Sequence, residues 1–192
     1  MVKNKTQKQI IIAAGETFHR FGYKKTTMDD IALSAGKGKS SLYYYFKNKE
    51  EVFEAVVDME AQHIINDIHE ALAETELPLD KLRKYIRIRM QRFVARGNLY
   101  LALNDNFLAT FSFIEKIRIK HQDWEMEVIT EILKEGITRG DFKIVDPQFM
   151  GHIILTAMIG FEYPLLKNPD SNIKFERKIE QVINLLFFGI CS

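Results

Sequence analysis

Thr27-Met28-Asp29-Asp30-Ile31-Ala32-Leu33-Ser34-Ala35-Gly36-Lys37-Gly38-Lys39-Ser40-Ser41-Leu42-Tyr43-Tyr44-Tyr45-Phe46-Lys47-Asn48-Lys49 reads as two short helices joined by a tight turn, with a third helix opening after them: a helix-turn-helix. Thr27 stands at the cap of the first helix. Asp30, three residues on, answers back to it in a capping box and places negative charge at the positive helix end. Ile31, Ala32 and Ala35 form a small apolar face, and Gly36 supplies the left-handed residue that stops the helix. The chain re-enters a helix at Lys39 to Tyr45, where Leu42 and Phe46, four apart, point inward. Lys39, Ser40, Ser41, Tyr43, Tyr44 and Tyr45 are left outward. Cations, hydroxyls and phenols on one exposed face suit phosphate oxygens and base edges. Gly38-Lys39-Ser40 is not the end of a phosphate-binding loop, because Leu33 stands where that motif needs a glycine.

The pattern Thr27-x-x-Asp30-Ile31-Ala32-x-x-Ala35-Gly36, followed by Ser41-Leu42-Tyr43-x-Tyr45-Phe46-x-x-Lys49-Glu50-Glu51, resembles the DNA-binding signature of the TetR family of bacterial regulators. The resemblance implies that Lys39, Ser40 and Tyr44 approach bases. It implies that Thr27, Ser41, Tyr43, Tyr45 and Lys49 hold phosphates. Two positions depart from the family pattern. Gly38 stands where Ser or Thr is usual and Tyr45 where His is frequent. Glycine offers no side-chain acceptor as a cap, so the reading helix is expected to firm up on DNA.

With 192 residues the chain is long enough to bury a full core. Four prolines, ten glycines and long apolar periodicities predict an all-α protein of about nine helices. The expected organisation is an N-terminal three-helix head over residues 1–50 and a helical ligand-binding and dimerisation domain over 51–192. No apolar run is long enough to span a membrane, and the basic N-terminus leads into an amphipathic helix, so a cytoplasmic protein is expected. The single cysteine, Cys191, excludes an internal disulfide and a cysteine metal cluster. Residues 1–50 carry ten Lys or Arg against four Asp or Glu, a balance of +6, whereas the remaining 142 residues balance at −5. A basic head on an acidic body points to a polyanion at the head.

A first helix is expected from about Thr6 to Phe21, with Ile11, Ala14, Phe18 and Phe21 on its inner stripe and Gly22 as its stop. Lys24 and Lys25 follow in a loop near the reading surface. A fourth helix from about Asn48 to Ala73 carries Phe53, Val57, Ala61, Ile64 and Ile68 on one stripe. At 1.5 Å per residue it is about 39 Å long, enough to link head and body mechanically. The fifth, about Leu79 to Arg96, has Leu82, Ile86, Met90 and Phe93 on its apolar face, and Arg89 falls inside that face. Buried there, an arginine needs an internal carboxylate or a ligand's anionic group. The other basic residues of this helix are expected to be solvated.

A looser sixth segment, Leu99 to Phe113, is rich in large apolar residues, and a seventh helix runs from about Glu115 to Thr138. Asp146 caps an eighth helix whose first turn holds Pro147 and which Pro164 ends or kinks. The ninth spans about Ile173 to Ile190. His63, Arg89, Met90, Phe93, Phe107, Phe111, Trp124, Met158 and Glu162 are the candidate ligand-binding residues, and Glu162 is also a candidate partner for Arg89. They would suit a greasy effector with an anionic or polar group.

No nucleophile motif, phosphate loop or metal cluster supports an enzyme, and the five histidines form no evident triad. Glu60-x-x-His63 lacks the second such pair that a di-iron site needs, so no metal and no cofactor is expected. The expected function is a ligand-responsive transcriptional regulator, a repressor released from a palindromic double-stranded DNA operator by a small hydrophobic effector. The alternative is a helical lipid or small-molecule binder without a DNA role. The resemblance implies a homodimer through the eighth and ninth helices, where Gly151, Ala157 and Gly160 would allow close approach.

Overall fold

Eight α-helices make up the regular structure of the computed structural model, which describes residues 2–96, 112–167 and 172–188. They are α1 (Val2–Phe21), α2 (Met28–Ser34), α3 (Lys39–Tyr45), α4 (Lys49–Ala73), α5 (Pro78–Arg96), α6 (Ser112–Arg139), α7 (Pro147–Lys167) and α8 (Asn172–Phe188). The expected helix over Leu99 to Phe113 falls almost entirely outside the described residues. The all-helical class follows from the absence of alternating apolar patterns, and α7 carries Pro164 without ending there. The chain forms two compact units. One comprises Met1–His63 with Arg96–Lys120, and the other Ile64–Ala95 with His121–Ser192.

The first unit closes around Ile10, Ala14 and Phe18 of α1, Ile31 and Ala32 of α2, Leu42 of α3, and Val52, Phe53, Val56 and Val57 of α4. The first half of α4 therefore belongs to the head's core, and the packing boundary lies thirteen residues beyond the expected 50, at His63. Phe18, Tyr23 and Phe53 stack edge to face or tilted, with ring centroids 4.8 to 5.7 Å apart. Each such ring contributes roughly 1.5 to 3 kcal/mol by leaving water. The inner stripe of α1 is turned from the expected one. Ile10, Ala14, Thr17 and Phe18 are buried, while Ile11 is half-buried and Phe21 is half-exposed. Gly22, with φ 79°, ends the helix directly after Phe21 and turns the chain away.

The second unit packs Ile68 of α4, Leu82, Tyr85, Ile86 and Met90 of α5, Ile129, Ile132 and Leu133 of α6, Ile154, Leu155 and Met158 of α7, and Ile179, Ile183 and Phe187 of α8. Phe142, in the turn after α6, folds back on Gly136, where a Cβ would collide with its ring. Asp146 Oδ1 accepts from the Phe149 amide at 2.9 Å and caps α7 as expected. Gly151 is buried against Met126 and Thr130 of α6 within the same chain. It is therefore not free to bring a second copy close, because that face of α7 is already covered. Gly160 is exposed and has open space beside it.

Candidate nucleic-acid interface

The reading surface begins with the cap of α2. Thr27 Oγ1 accepts from the Asp30 amide at 3.2 Å, and Asp30 Oδ2 accepts from the Thr27 amide at 2.9 Å, so the capping box expected from sequence is complete. The Thr27 hydroxyl also donates to Asp30 Oδ2 at 2.6 Å. These bonds hold the Asp30 carboxyl below its ordinary range. The turn to α3 uses Gly36 at φ 61°. Gly38 caps α3 with extended backbone and no side-chain bond, yet the helix forms, because Leu42 inserts fully into the head core and anchors it.

That anchor sets which residues of α3 face out. Lys39, Ser40, Tyr43 and Tyr44 are exposed, and Tyr44 is two-thirds open to solvent. Ser41 and Tyr45 are only half-buried flanks, and Tyr45 packs on the head core. Tyr45 lies three residues after Leu42 and one before Phe46, so helical spacing carries it toward their side. The rings of Tyr44 and Tyr45 meet edge to face at 5.1 Å. Leu33, at the end of α2, is the most exposed large apolar residue of the head, a feature the sequence reading did not single out.

Lys39 is ion-paired with Asp29 of α2, both side chains more than half exposed. The carboxylate raises the lysine pKa by hydrogen bonding and then by its charge. Lys49 turns its side chain toward the α1–α2 loop. Its ammonium donates to the main-chain carbonyls of Tyr23 and Thr26, each at 2.9 Å, and lies 4.4 Å from the centre of the Tyr23 ring. Burial lowers its pKa. These contacts commit the ammonium to the α1–α2 loop. Lys24 and Lys25 are exposed in the same loop.

Thr26 was also missed from sequence. It is buried, and its hydroxyl donates to Gly22 O at 2.8 Å, closing the loop from within. The fourth helix starts as expected, directly after Asn48, and an Asn-x-x-Glu pattern caps it. Asn48 Oδ1 accepts from the Glu51 amide and Glu51 Oε2 from the Lys47 amide, each at 2.8 Å.

In the body, Arg89 is buried and pairs with Glu125 of α6. Nε meets Oε1 at 2.6 Å and Nη2 meets Oε2 at 3.2 Å, a two-point pair. Tyr85, fully buried beside them, has its phenol pushed well above the ordinary value, by burial first and then by the Glu125 charge. Met90 and Met158 are core residues, Trp124 is half-buried at the core's edge with His69 5.5 Å from its ring, and His63 is exposed on α4. Phe107, Phe111 and the side chains of Phe93 and Glu162 lie outside the described residues. The basic residues of α5 are not simply solvated. Lys81 pairs with Glu135, Arg87 with Glu180 and Arg92 with Asp67, at 2.6 to 2.8 Å. Three surface grooves of about 420 to 560 Å³ are lined mostly by charged and polar side chains, and none of the expected effector residues lines them.

Comparison with known proteins places the same stretch in context. Residues 10–56 match the family described as bacterial regulatory proteins, tetR family. The uncharacterised helix-turn-helix-type transcriptional regulator YhgD of Bacillus subtilis is 28% identical over 80% of each chain. A solved TetR/AcrR-family transcriptional regulator from Thermobifida fusca superposes with a TM-score of 0.76 at 27% identity, over 94% of this chain and 95% of that one. The regulator FadR of Bacillus subtilis, solved in complex with stearoyl-CoA, has a TM-score of 0.79 at 22% identity, over 93% of this chain and 96% of that one, and shares the fold.

Proposed function

The chain belongs to the TetR family of bacterial regulatory proteins, and from that premise we propose that it is a repressor whose two copies read a palindromic operator and leave it when an effector binds. The observation that carries the reading is α3 itself. A helix held by one buried leucine turns Lys39, Ser40, Tyr43 and Tyr44 to solvent on a capped helix-turn-helix. Lys39, Ser40 and Tyr44 meet base edges, and Thr27, Ser41, Tyr43 and Tyr45 meet phosphates. Residues 1–50 carry the reading surface, the first half of α4 completes their core, and the rest of 51–192 is the effector and dimer domain.

The dimer forms through α7 and α8. Phe149 and Ile153, four residues apart on α7, are 63% and 42% exposed, and Leu185 of α8 is 66% exposed. An apolar stripe of this kind on a bundle's outer face is what a second copy would cover. The two heads would then stand one DNA turn apart, about 34 to 36 Å. No described helix is long and apolar enough to cross a membrane.

The effector is an amphiphile whose polar end engages the buried Tyr85, Arg89 and Glu125 cluster. Stearoyl-CoA, a long apolar chain on an anionic head and the ligand of the similarly folded FadR, is the first probe. An effector acts by binding more tightly to the state that does not fit the operator. Sedimentation of the full chain together with gel shifts on duplex selected from a random pool tests the reading. A dimer that retains selected duplex supports it, and a monomer at all working concentrations overturns it.

A further inference from the structure

Lys49 is the first residue of α4 and sits where the family pattern would have it face the DNA backbone, but its side chain turns inward. The carbonyls of Tyr23 and Thr26 receive its ammonium at 2.9 Å, and that of Lys24 stands at 3.5 Å. The Tyr23 ring, on which the ammonium also rests, packs in turn on Phe53 of α4 and Phe18 of α1. An ammonium has three protons, and three carbonyls converging on one point leave it none to spare. The converging carbonyl dipoles would repel one another if the cation were removed.

The loop so fastened leads straight into the reading element. Thr26 is buried and bonded to Gly22, and the next residue, Thr27, is the cap of α2. From Thr27 to the base-facing Lys39 there are only twelve residues, held by the capping box and the packing of Ile31 and Leu42.

We infer that Lys49 is a positioning residue: it fastens the loop between α1 and α2 to the first turn of α4, so that the helix-turn-helix follows α4 as one body. This rests on the reading of the chain as a DNA-binding dimer. Movement of α4, which runs on to Ala73, would then move the reading helix without slack. The role differs from a phosphate contact in a measurable way. Each phosphate neutralised contributes about 0.9 to the slope of log K against log salt.

The test uses the full chain, duplex selected by the wild-type protein, and the same half-sites respaced by one and two base pairs. Lys49→Met is expected to keep the wild-type salt slope while its preference for the native spacing over the altered ones falls about tenfold. Lys49→Arg, which can still donate to the carbonyls, is expected to recover part of that preference. A slope lower by about 0.9, with affinity lost equally at every spacing, would make Lys49 a phosphate contact and overturn the inference. Amide hydrogen exchange gives a readout independent of DNA. In Lys49→Met the amides of Thr26, Asp30 and Ile31 are expected to exchange at least tenfold faster, with the buried turns of α1 unchanged. Wild-type exchange at those amides would overturn the clamp even if the protein bound no duplex. Failure of wild-type binding alone would instead overturn the DNA-binding reading.

Discussion

The two cations at the centre of the account, Lys39 in the head and Arg89 in the body, are each paired with a carboxylate, and the two pairs could hardly be set more differently. Lys39 and Asp29 are 63% and 56% exposed, and the pair joins two short helices in water. Arg89 and Glu125 are 10% and 16% exposed and meet at two points inside an apolar bundle. An exposed pair gives little stability and parts readily, so a polyanion can replace the carboxylate. A buried pair resists loss of either member because the other would remain charged and desolvated. The head thus keeps its charge exchangeable and the body fixes it. Binding surface and structural core differ less in residue type than in water.

Breaking the buried pair should produce the largest change. Arg89→Ala is expected to cost about 3 to 5 kcal/mol in urea denaturation, whereas Arg89→Met with Glu125→Leu should come out neutral or more stable. A small loss for Arg89→Ala would mean that the body, like the head, tolerates its cation being free. Next comes the packing contrast. Gly136→Ala places a methyl group into the Phe142 ring and should cost about 1 to 3 kcal/mol. Gly38→Ser in the head meets only Ser40 Oγ at 3.9 Å and supplies the missing cap, so it should stabilise α3 by a few tenths of a kcal/mol.

The smallest effect is expected at the Thr27–Asp30 cap. The Asp30 carboxyl is held below its ordinary 3.8, so the folded state binds its proton less tightly than the unfolded chain does. Its contribution is full above about 3.8 and fades as pH falls through the lowered value. Amide chemical shifts of Asp30 and Ile31 between pH 6 and about 2.5 should follow this titration in the wild type and move to a higher midpoint in Thr27→Ala, which lacks the hydroxyl bond that lowers the carboxyl most.

Much of the head was legible because its instructions are local. Thr27 with Asp30, Gly36 with its positive φ, and Leu42 with Phe46 each act within four residues, and each stands in the structure as the spacing requires. The site was harder where a side chain answers to a distant element. Lys49 reaches carbonyls 23 and 26 residues earlier, and nothing in its own helix announces them. Tyr45 was read as outward because it is polar, although its register puts it beside Phe46. In the body, the need of Arg89 for a partner was legible, but Glu125 is 36 residues away on another helix, and only packing selects it. Glycine at 151 was read as a contact for a second copy, yet α6 of the same chain lies against it.

The most direct measurement is the affinity of the full chain for its selected duplex between about 50 and 200 mM salt, for the wild type and for Lys39→Ala and Tyr44→Ala. If α3 reads DNA, wild-type affinity falls linearly in log salt and both variants change which sequence is preferred. Salt-independent or absent duplex binding, or an unaltered preference in both variants, would contradict it.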